Sequence, residues 1–198
     1  HSDLMRHWQT SMPQSRSAAT GWGGRAADLL TDPAKRNDPI AMSMSLDRVN
    51  TFQAATYANP YVLTSGGAVE MTAFSSNWGP DLIFQGAFDH MLAREETDLV
   101  KKTYSNLSRQ AIDAAAMYNQ ATSAVTFDTV FPSTYLGRSM ERVARSIASA
   151  GALGHEKQIF FLLQGGWDHH SDLIGPQNDL LGNVSASIAA LQSCLTEL

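Results

Sequence analysis

Three features of this chain predict an α/β fold. The apolar run Ile159-Phe160-Phe161-Leu162-Leu163 closes in Gly165-Gly166, the pattern of a buried strand ending in a tight turn. On both sides lie segments with apolar residues at steps of three and four. Leu136, Met140, Val143 and Ile147 precede the strand; Leu181, Val184, Ile188, Leu191, Leu195 and Leu198 follow it. Helix, strand, polar loop and helix make an α/β unit, and a right-handed crossover lays both helices on the sheet. The chain has 198 residues, 43% hydrophobic and 17% charged, which suits one such domain over residues 1–198 and argues against disorder.

The remaining elements follow in order. Residues 3–9 predict a short helix, with Ser2 placed to cap it. The Ser-rich stretch 11–20, with Pro13, reads as a loop. A second helix is expected over 22–30, closed by Asp32-Pro33. In 40–46, Ile40, Met42, Met44 and Leu46 alternate with Ala41, Ser43 and Ser45, so period two predicts a half-buried strand. Asn59-Pro60 and Gly66-Gly67 break 51–72 into loops and short strands. Beyond the turn cluster at 75–80, helices are expected over 81–95 and 96–122, carried by Phe84, Phe88, Met91, Leu92, Leu99 and Leu107. Phe131-Pro132 ends that pattern, and helices over 133–150 and 176–198 flank the apolar strand, with Pro176 in a first turn.

Composition excludes several functions. A formal net charge of -5, with no run of Lys or Arg longer than two, leaves no basic footprint for nucleic acid. No apolar stretch reaches the roughly 18 to 20 residues that span a bilayer. Cys194 is the only cysteine, so neither an internal disulfide nor a thiolate metal cage can form. The chain opens at His1 and closes at Leu198 inside a helical pattern, which suggests a piece of a longer domain. Apolar surface left by absent strands would then be exposed or covered, by a homo-oligomer or by a partner protein.

The chemistry concentrates in Gln164-Gly165-Gly166-Trp167-Asp168-His169-His170-Ser171. Ligands of sheet enzymes gather at the carboxyl ends of strands, and Asp with His is a common ligand set for a divalent metal. Asp168 and His170 can put an oxygen and a nitrogen on one ion, with His169 as a third ligand or a hydrogen-bonding residue. The plainer alternative is a solvated loop in which Asp168 caps the next turn. At the other end, His1-Ser2-Asp3 opens a helix, where Ser2 could act as a nucleophile toward an anion or serve only as a cap. Gly21-Trp22-Gly23-Gly24-Arg25 lacks the Lys-Ser/Thr of a phosphate loop and the spacing of a dinucleotide fingerprint, so close backbone packing explains it better.

Four motifs in one order carry a resemblance. They are His1-x-Asp3-x4-Trp8-x-Thr10, Thr20-Gly21-Trp22-x-Gly24-Arg25, Phe131-Pro132 with Leu136-Gly137-Arg138, and Gly165-Gly166-Trp167-Asp168-x-His170. Together they resemble the bacterial "domain of unknown function 1501" family of the alkaline-phosphatase and sulfatase-like superfamily. The resemblance implies a mostly parallel sheet flanked by helices, incomplete and helix-rich in this chain, and an extracytoplasmic or periplasmic home. It implies a divalent metal (Zn, Mn, Mg or Ca) on Asp168 and His170, with the nucleophile position near His1 or Ser2. The implied activity is hydrolysis of small phosphate or sulfate esters; the rival expectation is a non-catalytic exported protein that uses the same scaffold for binding or cell-surface assembly. His169 stands where the family has Thr, and Ser2 where it has Phe. The glycine- and Asp-containing early strand end is absent, as are the later segments that would add ligands.

Overall fold

The alternation of strand and helix signals resolves, in the computed structural model, into a four-stranded sheet with helices on both faces. The structure describes residues 2–15, 17–36, 38–70, 72–95 and 97–198, the side chains of Ser2, Asp3, Thr72 and Ser75 excepted. The strands are β1 (Ser43–Ser45), β2 (Tyr61–Thr64), β3 (Gly67–Ala68) and β4 (Ile159–Phe161), in the spatial order β3-β2-β1-β4. β1 runs parallel to β2, with Met44 opposite Tyr61, and parallel to β4, with Met44 opposite Phe160. β3 runs antiparallel to β2.

The sheet is therefore mixed, and the expectation of a mostly parallel sheet is corrected. The cause is local. β2 and β3 are joined by the two-residue turn Ser65-Gly66, which only an antiparallel pair can use. Gly67, at φ +119°, supplies a backbone conformation that side-chain-bearing residues avoid. The parallel pairs have the long connections they require: residues 46–60 between β1 and β2, and three helices before β4.

Among the described residues six α-helices accompany this sheet: α1 (Ser2–Thr10), α2 (Trp22–Leu30), α3 (Gly79–Leu92), α4 (Leu99–Ser123), α5 (Tyr135–Ala148) and α6 (Ile174–Glu197). Their starts follow capping chemistry. The Asp98 carboxylate accepts from the Val100 and Lys101 amides, the Thr134 hydroxyl accepts from Gly137, and Pro80 occupies the first turn of α3. The predicted range 22–30 coincides with α2, and α5 lies within 133–150.

The main core lies between one face of the sheet and α4, α5 and α6. Ile40, Met44, Leu46, Leu63, Ala114, Tyr118, Val143 and Leu153 form it, and Phe160, Leu162 and Leu191 pack against it. The opposite face is organised by Phe52, whose ring lies 5.5 Å from Phe161 and is flanked by Trp8 at 5.9 Å and Trp22 at 4.6 Å. That contact seats α1 and α2 on the second face.

Two sequence expectations change here. β1 is buried on both faces, not one, because Ser43 and Ser45 are as inaccessible as Met44. Their hydroxyls are satisfied: the Gln53 amide donates to Ser43 Oγ at 3.0 Å, and Ser45 donates to the Arg48 carbonyl at 2.7 Å. The apolar stripe of α6 is also only partly the face that packs. The fully buried residues there are Ser187 and Cys194, while Leu181, Ile188, Leu195 and Leu198 remain exposed.

Candidate functional site

β1, β2 and β4 end on the same edge of the sheet, and the loop after β4 leaves from that edge. Gly166, at φ +91°, turns the chain, and Trp167 locks the turn by donating its indole N–H to the Gln164 carbonyl at 2.7 Å. Gln164 is tied to α6 in turn, since Asn183 donates its amide to Gln164 Oε1 at 3.3 Å. The Thr134 hydroxyl then donates to Asn183 Oδ1 at 2.6 Å, linking the α5 cap to the same network.

This scaffold presents Asp168 and His170 to solvent. Their side chains are 86% and 90% exposed, and Asp168 Oδ2 lies 3.6 Å from His170 Nε2. The two are close enough to face one ion, yet no group of three His, Cys, Asp or Glu side chains able to hold a metal occurs among the described residues. His169 differs from both neighbours. Its Nε2 atom is buried and has no hydrogen-bond partner among the described residues. A catalytic zinc site takes three protein ligands and leaves one position open. The pair here falls short of that set, so the residues present do not by themselves fit a catalytic metal centre.

Both predicted nucleophile positions, His1 and the side chain of Ser2, lie outside what the structure describes. Ser2 begins α1. Among the described residues, the hydrogen bonds of α1 run to 18 and 25 and not to the Asp168 loop.

The other motif residues work in packing. Arg25 donates to the carbonyls of Thr20 at 3.0 Å and Thr10 at 2.7 Å, fastening α2 to the end of α1. A Cβ on Gly24 would lie 2.0 Å from the Ala54 carbonyl oxygen, and one on Gly137 would lie 2.1 Å from that of Pro132. These glycines permit close approach of backbone to helix, as the sequence reading of the Gly-Trp-Gly-Gly segment expects.

A feature without a sequence signal lies at the opposite, amino edge of the strands. A cavity of about 560 Å³ is lined there by residues that include Arg36, Tyr57, Tyr61, His155 and Lys157. Arg36 sits 4.2 Å over the Tyr57 ring, and burial pushes the Tyr61 phenol up to about 12, with Tyr118 and Glu70 adding to the shift. His155 is held structurally: Gln158 donates to Nδ1 at 3.3 Å, which leaves Nε2 to donate to the Ile40 carbonyl at 2.9 Å. The lining cations Lys35, Arg36 and Lys157 are matched by Asp32, Asp38 and Glu156, so the cavity favours neither sign of charge.

No protein-family model, curated protein or solved structure gives a significant match to this chain. No helix among the described residues is long and apolar enough to cross a membrane.

Proposed function

We propose that this chain is a non-catalytic binding or assembly scaffold of an exported protein, built on an α/β frame similar to that of metal-dependent ester hydrolases. One observation carries the reading. Among the described residues, the loop with the most ligand-like composition holds Asp168 and His170 apart from any third ligand, in open solvent, where a catalytic centre needs convergent and water-excluding groups. The extracytoplasmic placement and the hydrolase-like frame rest on the family resemblance.

The second reading is hydrolysis of a phosphate or sulfate ester, with Asp168, His170 and His169 as ligands of Zn, Mn, Mg or Ca and Ser2 or His1 near the reacting group. It is favoured by the 3.6 Å separation of Asp168 and His170 at the carboxyl edge of the parallel strands. A bound divalent ion would supply charge stabilisation of an ester anion. The residues present hold too few ligands for any step to be drawn through it.

Turnover of an aryl phosphate and an aryl sulfate, with each of the four ions added in turn, separates the readings. The scaffold reading expects no rate above that of the free ion. A rate that disappears in the Asp168→Ala/His170→Ala variant would overturn it in favour of the hydrolase.

A further inference from the structure

The walls of the cavity at the amino edge are tied to one another. They come from the segments that lead into β1, β2 and β4, from α4 and from residues 30–36. The Lys35 amine donates to the Gly154 carbonyl at 3.0 Å, and His155 Nε2 donates to the Ile40 carbonyl at 2.9 Å. The Asp28 carboxylate accepts from the amides of Thr56, Tyr57 and Ala58, which fixes the loop that carries the Tyr57 ring. Segments as much as 119 residues apart are thus fastened around one space. Its volume, about 560 Å³, lies inside the range of roughly 300 to 1,000 Å³ that small-molecule sites occupy.

The most deeply buried residues of the lining, Ile40, Met42 and Ala58, are apolar. Beside them stand neutral polar groups: the phenols of Tyr57 and Tyr61 and the amides of Asn59 and Gln110. The Tyr61 phenol, pushed up to about 12, stays protonated and can donate. Among the described residues these four side chains make no hydrogen bond with the chain. The Thr31 hydroxyl, the Asp32 carboxylate and the Lys35 amine are by contrast engaged, with Ala27, Ala34 and Gly154. Arg36 holds its guanidinium 4.2 Å over the Tyr57 ring, and a guanidinium so placed offers a planar fork of N–H donors at the ring's edge.

These properties select the ligand by elimination. Three cations and three anions line the cavity, so a charged molecule would give up hydration without a net attraction to replace it. A wholly apolar molecule would leave the open phenols and amides unpaired. A flat base meets donors and acceptors only along its edge, in a fixed pattern. A sugar ring satisfies the whole lining. It carries an apolar C–H face, which suits the Tyr57 ring and the buried aliphatic residues, and a rim of hydroxyls that each donate and accept. Such hydroxyls can pair with carboxylates, amides, phenols and a guanidinium alike.

We propose that this cavity binds a neutral mono- or disaccharide, with the Tyr57 ring against the C–H face of the sugar and Asn59, Tyr61 and Gln110 on its hydroxyls. The cavity lies at the edge of the sheet opposite the Asp168 loop. The saccharide site therefore goes beyond both readings of that loop and rests on neither.

Calorimetric titration of the intact chain with maltose, cellobiose and diacetylchitobiose tests this, beside adenosine and the anion cellobionate. At least one of the neutral disaccharides is expected to bind with a Kd of about 1 mM or tighter. Tyr57→Ala and Gln110→Ala should each weaken that binding about tenfold. Both positions are exposed, so the variants fold, which circular dichroism checks. Amide hydrogen exchange on the unaltered chain gives a second reading: the bound sugar should slow exchange at residues 56–59 and 154–157 and leave 165–171 unchanged. Absence of binding by all three disaccharides at about 10 mM overturns the proposal. So does a sugar whose affinity is the same in both variants and whose exchange footprint lies elsewhere. Cellobionate binding about tenfold more tightly than cellobiose, or adenosine binding where no sugar does, overturns the ligand class in favour of an anion or a base. Turnover of the aryl esters reads the Asp168 loop separately. A failed sugar titration leaves both readings of that loop standing, and metal-dependent turnover leaves the saccharide site standing.

Discussion

Tyr118 on α4 and Ser146 on α5 meet hydroxyl to hydroxyl at 2.7 Å inside the core. Ser146 donates to the Arg142 carbonyl at 2.9 Å, so the Tyr118 phenol is the donor between the two. Burial raises the Tyr118 pKa, the Ser146 contact and the Arg142 and Arg145 charges opposing it, and the phenol stays neutral. α4 and α5 are thus joined by a polar contact among apolar neighbours, with the Ser149 hydroxyl at the end of α5 donating to the Ala121 carbonyl of α4 at 3.0 Å as a second one.

The two ends of the contact between Tyr118 and Ser146 are predicted to be unequal. Tyr118→Phe removes a donor but leaves Ser146 bonded to Arg142, at a cost of about 1 kcal/mol. Ser146→Ala leaves a buried phenol hydroxyl without a partner and costs about 2 kcal/mol. Urea unfolding of both variants and their combination should show the double variant losing less than the sum. Equal single costs would mean that Tyr118 finds another acceptor.

The glycines of α2 and α3 give opposite expectations for one substitution. Gly24→Ala drives a Cβ into the Ala54 carbonyl, where Gly21 and Gly24 also donate to the carbonyls of Ala54 and Phe52. Backbone must move, and the expected cost is about 3 kcal/mol. Gly86→Ala meets nothing within 4 Å on a helix and should gain up to about 1 kcal/mol. Thermal unfolding tests both; a neutral Gly24→Ala would show that the 51–54 segment yields.

Asp28 sets a pH dependence of known sign. Burial acts to raise its pKa, but the backbone amides of Thr56, Ala58 and Tyr57 together outweigh it and hold the carboxyl below its ordinary 3.8. A folded pKa below the unfolded one gives stability that is complete above the unfolded value and is lost as pH falls through the folded one. Wild type should therefore lose this contribution below about pH 4. Asp28→Asn should be less stable at pH 7 and lack that component of the acid decline. Parallel curves from pH 7 to pH 2 would assign the acid sensitivity elsewhere.

Much of the fold was legible because its signals are local. Residues 22–30 form a helix as their composition predicts, and Thr134 caps α5 where the break at Phe131-Pro132 required a new start. What escaped depends on distant partners. The alternation of 40–46 marks Met44 as core, but the burial of Ser43 and Ser45 comes from Phe52 and Gln53 folding over them. The α6 stripe predicts an apolar face, yet small residues, Ser187 and Cys194, take the buried positions. The cavity at the amino edge draws on residues from 30 to 157, a set no spacing rule connects. Of the site loop, position at a strand end was readable, while the exposure of Asp168 and His170 was not.

The His169 imidazole yields the sharpest distinction within that loop. Its Nε2 atom is buried and unpartnered among the described residues, a condition that costs about 1 to 3 kcal/mol for a polar group. His170, by contrast, stands in solvent, and His170→Ala should change stability by less than about 0.5 kcal/mol. His169→Leu removes the orphaned nitrogen while keeping apolar bulk and is expected to be neutral or stabilising by about 1 kcal/mol. Zinc titration of the same variants completes the comparison. If the loop is a solvated turn, zinc should raise the unfolding temperature of none of them. If zinc stabilises wild type and that gain is lost in both His169→Leu and His170→Ala, the imidazoles act together on one ion. The loop then becomes a metal site in the bound state, and the scaffold reading must accommodate a ligand.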